Sequence, residues 1–140
     1  MFIKKINDSK YMMRLEKDEM VMESIKKFAK KYNVKSAEVR ALGAIDYVSL
    51  SLYRPATKDY DTREFNEPFE ISCLYGNISS LNGEPYSHIH ISLNNTNYEG
   101  IGGHLNEARI SATLEAYIDV FDVVVDRKKD ENVNLNVWDI

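Results

Sequence analysis

The chain has 140 residues, which predicts one domain spanning residues 1–140 that can bury a hydrophobic core without disulfides or a structural metal. Hydrophobic residues make up 44% and charged residues 29%, values typical of a soluble globular protein, and the net charge of −4 argues against general attraction to nucleic-acid phosphates. The single cysteine excludes an internal disulfide and no apolar run approaches the roughly 18 residues of a membrane helix, so we expect a cytoplasmic protein that contacts no membrane.

The first strongly periodic segment is DEMVMESIKKFAKKYN, residues 18–33, which predicts a helix with Asp18 as its N-cap. Its apolar residues recur at helical spacing: Val21, Ile25, Phe28, Ala29 and Tyr32. Four lysines lie near the opposite side: Lys26, Lys27, Lys30 and Lys31. We interpret them as a solvated face near the C-terminal end of the helix dipole, with a basic docking face as the alternative.

Downstream of the helix the hydrophobic period changes to two, which predicts β-strands. The alternating segments are SAEVRALGAI, DYVSLSLYR, PFEISCLYGNIS, SHIHISL, ARISATLEAYIDVFDVVV and NVNLNVWDI, and YMMRLE before the helix also begins like a strand. Strands that follow one another without intervening helices pair antiparallel. The predicted fold class is therefore α+β, with six or seven strands in a mostly antiparallel sheet and one principal helix.

Three further segments carry specific expectations. The polar segment RPATKDYDTREFNEP, residues 54–68, is predicted to be a surface loop that covers a site or contacts a partner. DRKKDEN, residues 126–132, is predicted to be a charged turn. Cys73 is predicted to share the apolar strand face of Phe69, Ile71 and Tyr75, so we expect its thiol to be buried and inert.

All three histidines lie in one window, GEPYSHIHISLNNTNYEGIGGHL, residues 83–105. His88 and His90 are two residues apart on a predicted strand and so face the same side. His104 follows GIGG, whose glycines predict a turn that folds the chain back toward that strand. Three neutral imidazoles with an open position are the donor set of a catalytic or ligand-accepting zinc site. Separate polar histidines in a strand and a loop are the alternative interpretation.

Glu115 is the candidate catalytic residue because its charge interrupts a largely apolar strand. It is a candidate for general acid–base catalysis, for metal ligation, or for a hydrogen bond to an imidazole N–H. The alternative is an exposed glutamate on the polar face of the sheet. The candidates for lining the same pocket are Tyr86, Asn94 and Asn106.

The motifs GEPYSHIHISL and GGHL resemble those of the PPC domain, the "plants and prokaryotes conserved" family, whose hallmark is G-x-P-x-x-H-x-H with a downstream G-G-H-L. The matching residues are Gly83, Pro85, His88, His90, Gly102, Gly103, His104 and Leu105. Similarity extends over nearly the whole chain, including residues 11–45 with their G-A step and the segment ARISATLEAYI. LEKDE departs from the family because it lacks the glycine often found before the helix.

The resemblance implies a curved antiparallel sheet assembled as a homotrimer. It also implies a metal at the three histidines near a subunit boundary, with zinc as the expected ion and another divalent first-row metal as the alternative. The fold is similar to that of acetolactate decarboxylase, whose zinc is also held by three histidines. A fold of this kind does not determine function by itself.

Three functions are compatible with these features. The first is a metal-dependent enzyme or binding site for a small carboxylate or carbonyl compound. The second is a trimeric protein-interaction module without catalysis. The third is a DNA-associated regulator, because plant relatives carry the domain beside DNA-contacting AT-hook segments. This chain contains no R-G-R-P hook, and its lysines are not interleaved with aromatic residues, so direct DNA binding is not expected.

Overall fold

Nine strands and one helix make up the computed structural model of the protein, which describes residues 1–140. In chain order the elements are β1 (Phe2–Lys5), β2 (Lys10–Glu16), α1 (Val21–Lys31), β3 (Ala37–Arg54), β4 (Asp59–Phe65), β5 (Phe69–Leu81), β6 (Glu84–Asn95), β7 (Gly100–Val120), β8 (Arg127–Asp130) and β9 (Leu135–Trp138). The predicted α+β class, with one helix and a mostly antiparallel sheet, is confirmed.

The main sheet has seven strands in the order β1-β2-β7-β6-β5-β3-β4, and all of its pairings are antiparallel. Strand β3 also pairs with β7, so β3, β5, β6 and β7 form a closed ring. This closure requires the sheet to curve strongly. The remaining strands, β8 and β9, form a separate hairpin near the C-terminus.

Helix α1 covers the hydrophobic interior of the curved sheet. Phe28 is fully buried, and its ring centre lies 5.2 Å from that of Tyr11 on β2 and 5.1 Å from that of Tyr32. The side chains of the helix join a single cluster of 27 buried hydrophobic residues. The four lysines on the other side of the helix are exposed, and two of them pair with glutamates. No helix has the length and apolar character that a membrane crossing requires.

The predicted N-cap of the helix is wrong. The helix begins after Met20, whose side chain makes no capping hydrogen bond, and Asp18 lies in the preceding turn with φ of 70°. The backbone N–H groups of Met22 and Glu23 donate instead to the carboxylate of Glu107 on β7, at 2.7 and 3.2 Å. A carboxylate from a strand distant in sequence therefore caps the helix: it accepts hydrogen bonds from free N–H groups of the first turn, at the positive end of the helix dipole.

The predicted burial of Cys73 is also wrong, because its side chain is exposed. The pairing of β5 with β6 shifts register between Ile71 and Cys73, so that Ser72 is an extra residue in β5. An extra residue of this kind reverses the alternation of side chains beyond it. Phe69 and Ile71 therefore point into the core before the bulge, and Leu74 takes the inward position after it.

Two segments predicted to lack strands contain them. Residues 54–68 are not a long loop, because Asp59–Phe65 forms β4 and pairs with residues 48–54 of β3. In the segment 126–132, Arg127–Asp130 forms β8. Strand β4 lies at an edge of the sheet, where charged side chains are tolerated and discourage unwanted pairing. Its polar sequence therefore carries no hydrophobic alternation.

Candidate metal centre

The three histidines lie together on two neighbouring strands. His88 and His90 are on β6, and the register of β6 and β7 places His90 directly opposite His104. The ring centres lie 5.2 Å apart for His88 and His90, 5.3 Å for His88 and His104, and 5.7 Å for His90 and His104. One nitrogen from each ring lies within 4.8 Å of the others. The sequence prediction that these side chains converge is confirmed.

The glycines before His104 act differently from the prediction. They do not form the turn, because β7 already begins at Gly100, and the chain reverses just before it between β6 and β7. Gly102 and Gly103 lie within the sheet, where a Cβ would come 2.6 Å from the carbonyl oxygen of Ile91 and 2.9 Å from that of Ser51, respectively. These glycines therefore allow β7 to pass close to both neighbouring strands.

The environment of His88 and His104 lowers the pKa of both imidazoles and so favours their neutral forms at physiological pH. The pKa of His88 is lowered to about 4, chiefly by burial and in addition by positive charge at His104, Arg127 and His90. Burial also lowers the pKa of His104, with His90 as the second cause. A neutral imidazole keeps the lone pair that a metal ion requires.

An unsatisfied nitrogen supports the same interpretation. The Nδ1 atom of His104 is buried and has no hydrogen-bond partner. Buried polar atoms without partners are rare in folded proteins, and coordination of a metal ion would satisfy this nitrogen. The converging nitrogens, the lowered pKa values of His88 and His104, and this unsatisfied atom all fit a divalent first-row metal, for which imidazole is a common ligand.

The histidines open onto a cavity of about 760 Å³. Tyr60 of β4 lies beside His104, with ring centres 5.8 Å apart, and Tyr53 of β3 lies 5.6 Å from Tyr60. Tyr86 lines the cavity as predicted. Asn94 and Asn106 do not line it. Asn94 donates to the backbone of the neighbouring turn, and Asn106 donates to the hydroxyls of two serines on β3.

Glu115 lies away from this cavity within one chain. It is on β7, eleven residues beyond His104, which corresponds to about 35 Å of strand. Its neighbours in register are Arg14 on β2 and Leu42 on β3. The side chain is exposed and borders a different groove, which is also lined by Phe2 and other residues of β1 and β2. The chain alone therefore does not bring this carboxylate to the histidines.

The β8–β9 hairpin supplies seven of the 17 residues that line the cavity, and none of them was among the predicted site residues. Arg127 of the hairpin donates to Ser79 Oγ at 2.7 Å, Asn77 Oδ1 at 2.9 Å and the backbone oxygen of Asn136 at 2.7 Å. Its guanidinium carbon lies 4.6 Å from the ring centre of Tyr86. The one available signal was the tryptophan at the end of the alternating segment NVNLNVW, since Trp138 also lines the cavity.

Comparison with known proteins assigns this chain to a family. Residues 4–122 match the Plants and Prokaryotes Conserved (PCC) domain, so the chain belongs to this family, for which the abbreviation PPC is also in use. A comparison with curated proteins found no significant match.

Solved structures agree with this assignment. A protein from Bacteroides thetaiotaomicron, provisionally described as DNA-binding, is 31% identical with a TM-score of 0.95, and the match covers 99% of this chain and 96% of that one. A metal-containing protein from Archaeoglobus fulgidus is 27% identical with a TM-score of 0.86, covering 96% and 99%. Acetolactate decarboxylase from Bacillus subtilis is 14% identical with a TM-score of 0.58, covering 92% and 60%, and shares the fold.

Proposed function

We propose that this chain binds one divalent metal ion, with zinc as the expected ion, through His88, His90 and His104, and that the adjoining cavity binds a small carboxylate or carbonyl compound. The observation that carries the proposal is the convergence of three imidazole nitrogens within 4.8 Å at one side of the cavity. The metal content of the archaeal relative, which is 27% identical, supports it.

Three imidazole ligands leave a coordination position open, so a bound divalent ion would supply a Lewis acid that can polarise a ligand oxygen. The protein's own contribution is to hold the rings in place and to shape the ligand's surroundings. Tyr60 packs beside His104, and Tyr53 packs beside Tyr60. No aspartate or glutamate lines the cavity, so its residues support ligand binding more directly than acid–base catalysis.

The metal proposal is tested by measuring metal per chain on protein purified without an affinity tag. We expect about one ion per chain in the wild type, which is the ratio for a single three-histidine site. In the double variant His88→Ala, His90→Ala we expect the metal content per chain to fall by at least about tenfold. Ser92→Ala is the matched control, because Ser92 is an exposed residue two positions beyond His90 on the same strand. A wild type without metal, or equal metal in all variants, would contradict the proposal.

We also propose that the chain assembles as a homotrimer, as its family membership suggests. Exposed apolar side chains on the surface of the sheet support an assembly interface. Tyr75 is directly opposite His90 in the β5–β6 register and is 56% exposed, and Leu42 on β3 is 61% exposed. Such side chains on neighbouring strands form a surface suited to contact with another subunit.

Association with DNA is a second candidate, because the relative from Bacteroides thetaiotaomicron carries that provisional description. The net charge of −4 gives this chain no overall attraction to a phosphate backbone. A gel-shift titration with duplex DNA at low and high salt tests this role. DNA association predicts a shifted DNA band that weakens as the salt concentration rises. The absence of any shifted band at low salt would contradict this role.

A further inference from the structure

We propose that Arg127 binds the negatively charged group of the ligand, which makes small organic carboxylates the ligand class of this cavity. The inference rests on the proposed function and deepens it, because it names the chemistry that the cavity selects. Four properties of the cavity support it, namely its charge, the partners of Arg127, the geometry of the guanidinium group, and the apolar character of the hairpin wall.

The cavity is positively charged although the protein as a whole is negative. Among its 17 lining residues the side chains that carry full charge are Arg127 and Lys129, and none is acidic. The whole chain has 22 acidic residues against 18 basic ones. A cavity that is lined by basic side chains and by no acidic ones, in a chain with an excess of acidic residues, favours an anion as its ligand.

Arg127 differs from every other arginine of the chain. The other five arginines each form an ion pair with a carboxylate: Arg14, Arg40, Arg54, Arg63 and Arg109. Arg127 is hydrogen-bonded to neutral acceptors alone, although it is partly buried. Burial lowers its pKa, but a guanidinium stays protonated, so the structure carries a partly desolvated cation without a counter-charge. An anionic ligand would supply that charge.

The hydrogen bonds of Arg127 also hold its guanidinium ready for a ligand. A guanidinium has five N–H donors, and three bonds to Ser79, Asn77 and Asn136 leave two donors free for a carboxylate. Asn77 is the cross-strand partner of His88, so its Cβ lies about 5 Å from that of the histidine. The anion site therefore adjoins the metal ligands, and one small molecule can contact both.

The hairpin that carries Arg127 makes the cavity suitable for an organic anion. It lies outside residues 4–122, which match the family, and it contributes the apolar side chains of Leu135, Val137 and Trp138 to the wall. The hydroxyl of Tyr53 donates to the backbone oxygen of Val133, which attaches the hairpin to β3. An apolar wall beside a cation suits a carboxylate with a carbon skeleton better than an inorganic ion.

The fluorescence of Trp138 can report ligand binding, because Trp138 is the only tryptophan of the chain and lines the cavity. Its emission is followed while matched pairs of probes are added to the wild type: acetate and acetamide, lactate and lactamide, benzoate and benzamide. Every titration is repeated after the metal has been removed with a chelator and dialysis. We expect each carboxylate that binds to do so at least about tenfold more tightly than its amide, before and after chelation, as a charge-assisted hydrogen bond predicts.

The variants Arg127→Gln and Arg127→Lys test the residue directly, with Arg63→Gln as a control on exposed β4. We expect the glutamine variant to lose the carboxylate preference, the lysine variant to keep part of it, and the control to match the wild type. Thermal unfolding of each variant checks its fold. The comparison of probes on the wild type needs no variant, so the test stands even if the glutamine variant unfolds.

The outcomes separate this inference from the metal proposal. Loss of the carboxylate preference after chelation would overturn the inference, because the metal would then be the group that binds the charge. A preference that persists in folded Arg127→Gln would overturn it as well, as would the absence of any preference in the metal-loaded wild type. Tighter binding of phenyl phosphate than of benzoate would overturn carboxylate as the class. A wild type without metal contradicts the proposed function instead.

Discussion

At the scale of single residues, glycines determine how closely the strands around the histidines approach one another. Gly76 on β5 lies opposite Ile89, between the two histidines of β6. A Cβ at this position would overlap the carbonyl oxygen of His88 and lie 2.6 Å from the Cα of Ile89. Both contacts are with backbone, which cannot move aside as a flexible side chain does. Gly76 is therefore part of what places β6 and its histidines.

We predict that Gly76→Ala lowers the free energy of unfolding by about 2 kcal/mol or more, because relieving the overlap requires a shift of β6. The metal content measured for the proposed site should fall as well. Gly100→Ala is the control, since its Cβ would meet nothing closer than 3.9 Å. Urea unfolding of both variants measures the difference, and equal stability of the two would contradict this role for Gly76.

The histidine site could be predicted from local spacing, but its surroundings could not. The period of two in SHIHIS placed His88 and His90 on one face, and the structure confirms that they converge with His104. The role of Arg127 depends on Ser79 and Asn77, which are about fifty residues away in sequence. No periodic pattern in one chain encodes such a contact. Cys73 was misplaced because a bulge has no signal in hydrophobic alternation.

At the scale of elements, β7 is the strand that joins the sheet together, because it pairs with β2, β3 and β6. Near its end, Asp119 forms ion pairs with Lys10 of β2 at 2.9 Å and with Arg40 of β3 at 3.1 Å. The hydrogen bond from Lys10 is the largest cause that lowers the pKa of Asp119 in the folded protein, and attraction to both cations adds to it. One carboxylate thus connects three strands.

The lowered pKa of Asp119 predicts a pH-dependent contribution to stability. Because the folded pKa is below the unfolded one, the contribution is present above the ordinary carboxyl pKa of about 4 and is lost as pH falls through the folded value. We expect Asp119→Asn to lower the free energy of unfolding by up to about 1 kcal/mol at pH 7, and by less at pH 2.5. Denaturant unfolding at both pH values measures this.

The control for Asp119 is Asp122→Asn, because Asp122 lies three residues further along, is exposed and forms no ion pair. Its substitution should change stability little at either pH. A loss in Asp119→Asn that is as large in acid as at pH 7 would contradict the electrostatic explanation and indicate a packing effect.

Elements with a buried face were predictable, and elements without one were not. Helix α1 was identified because its apolar side chains recur every three or four residues and are buried, as Ile25 and Phe28 show. Strand β4 has an edge position and a polar sequence, so its tendency to pair depends on β3 rather than on its own pattern. The N-terminal cap depends on Glu107 of β7, which lies 85 residues beyond Met22 in the sequence.

At the scale of the whole molecule, a row of side chains in register crosses the outer surface of the sheet from the metal site. His90 is opposite Tyr75, Tyr75 is opposite Arg40, and Arg40 is opposite Tyr117. Tyr75 and Tyr117 are both exposed, and the guanidinium of Arg40 lies 5.6 Å from the ring centre of Tyr117. Aromatic and arginine side chains are enriched in the centres of protein interfaces. This row is our candidate for the subunit contact.

The candidate contact predicts the effect of a charge placed in the middle of the row. If three chains meet there, Tyr75→Asp would bury an unpaired carboxylate in each contact, which costs far more than the lost aromatic contact and should dissociate the assembly. We expect light scattering to give about 49 kDa for the wild type, three times the 16.2 kDa of one chain, and a single-chain mass for the variant. Tyr98→Asp is the matched control, because Tyr98 is 90% exposed in the turn before β7 and lies outside the row. A wild type that is monomeric, or a Tyr75→Asp variant that keeps the wild-type mass, would show that the subunits do not meet at this surface.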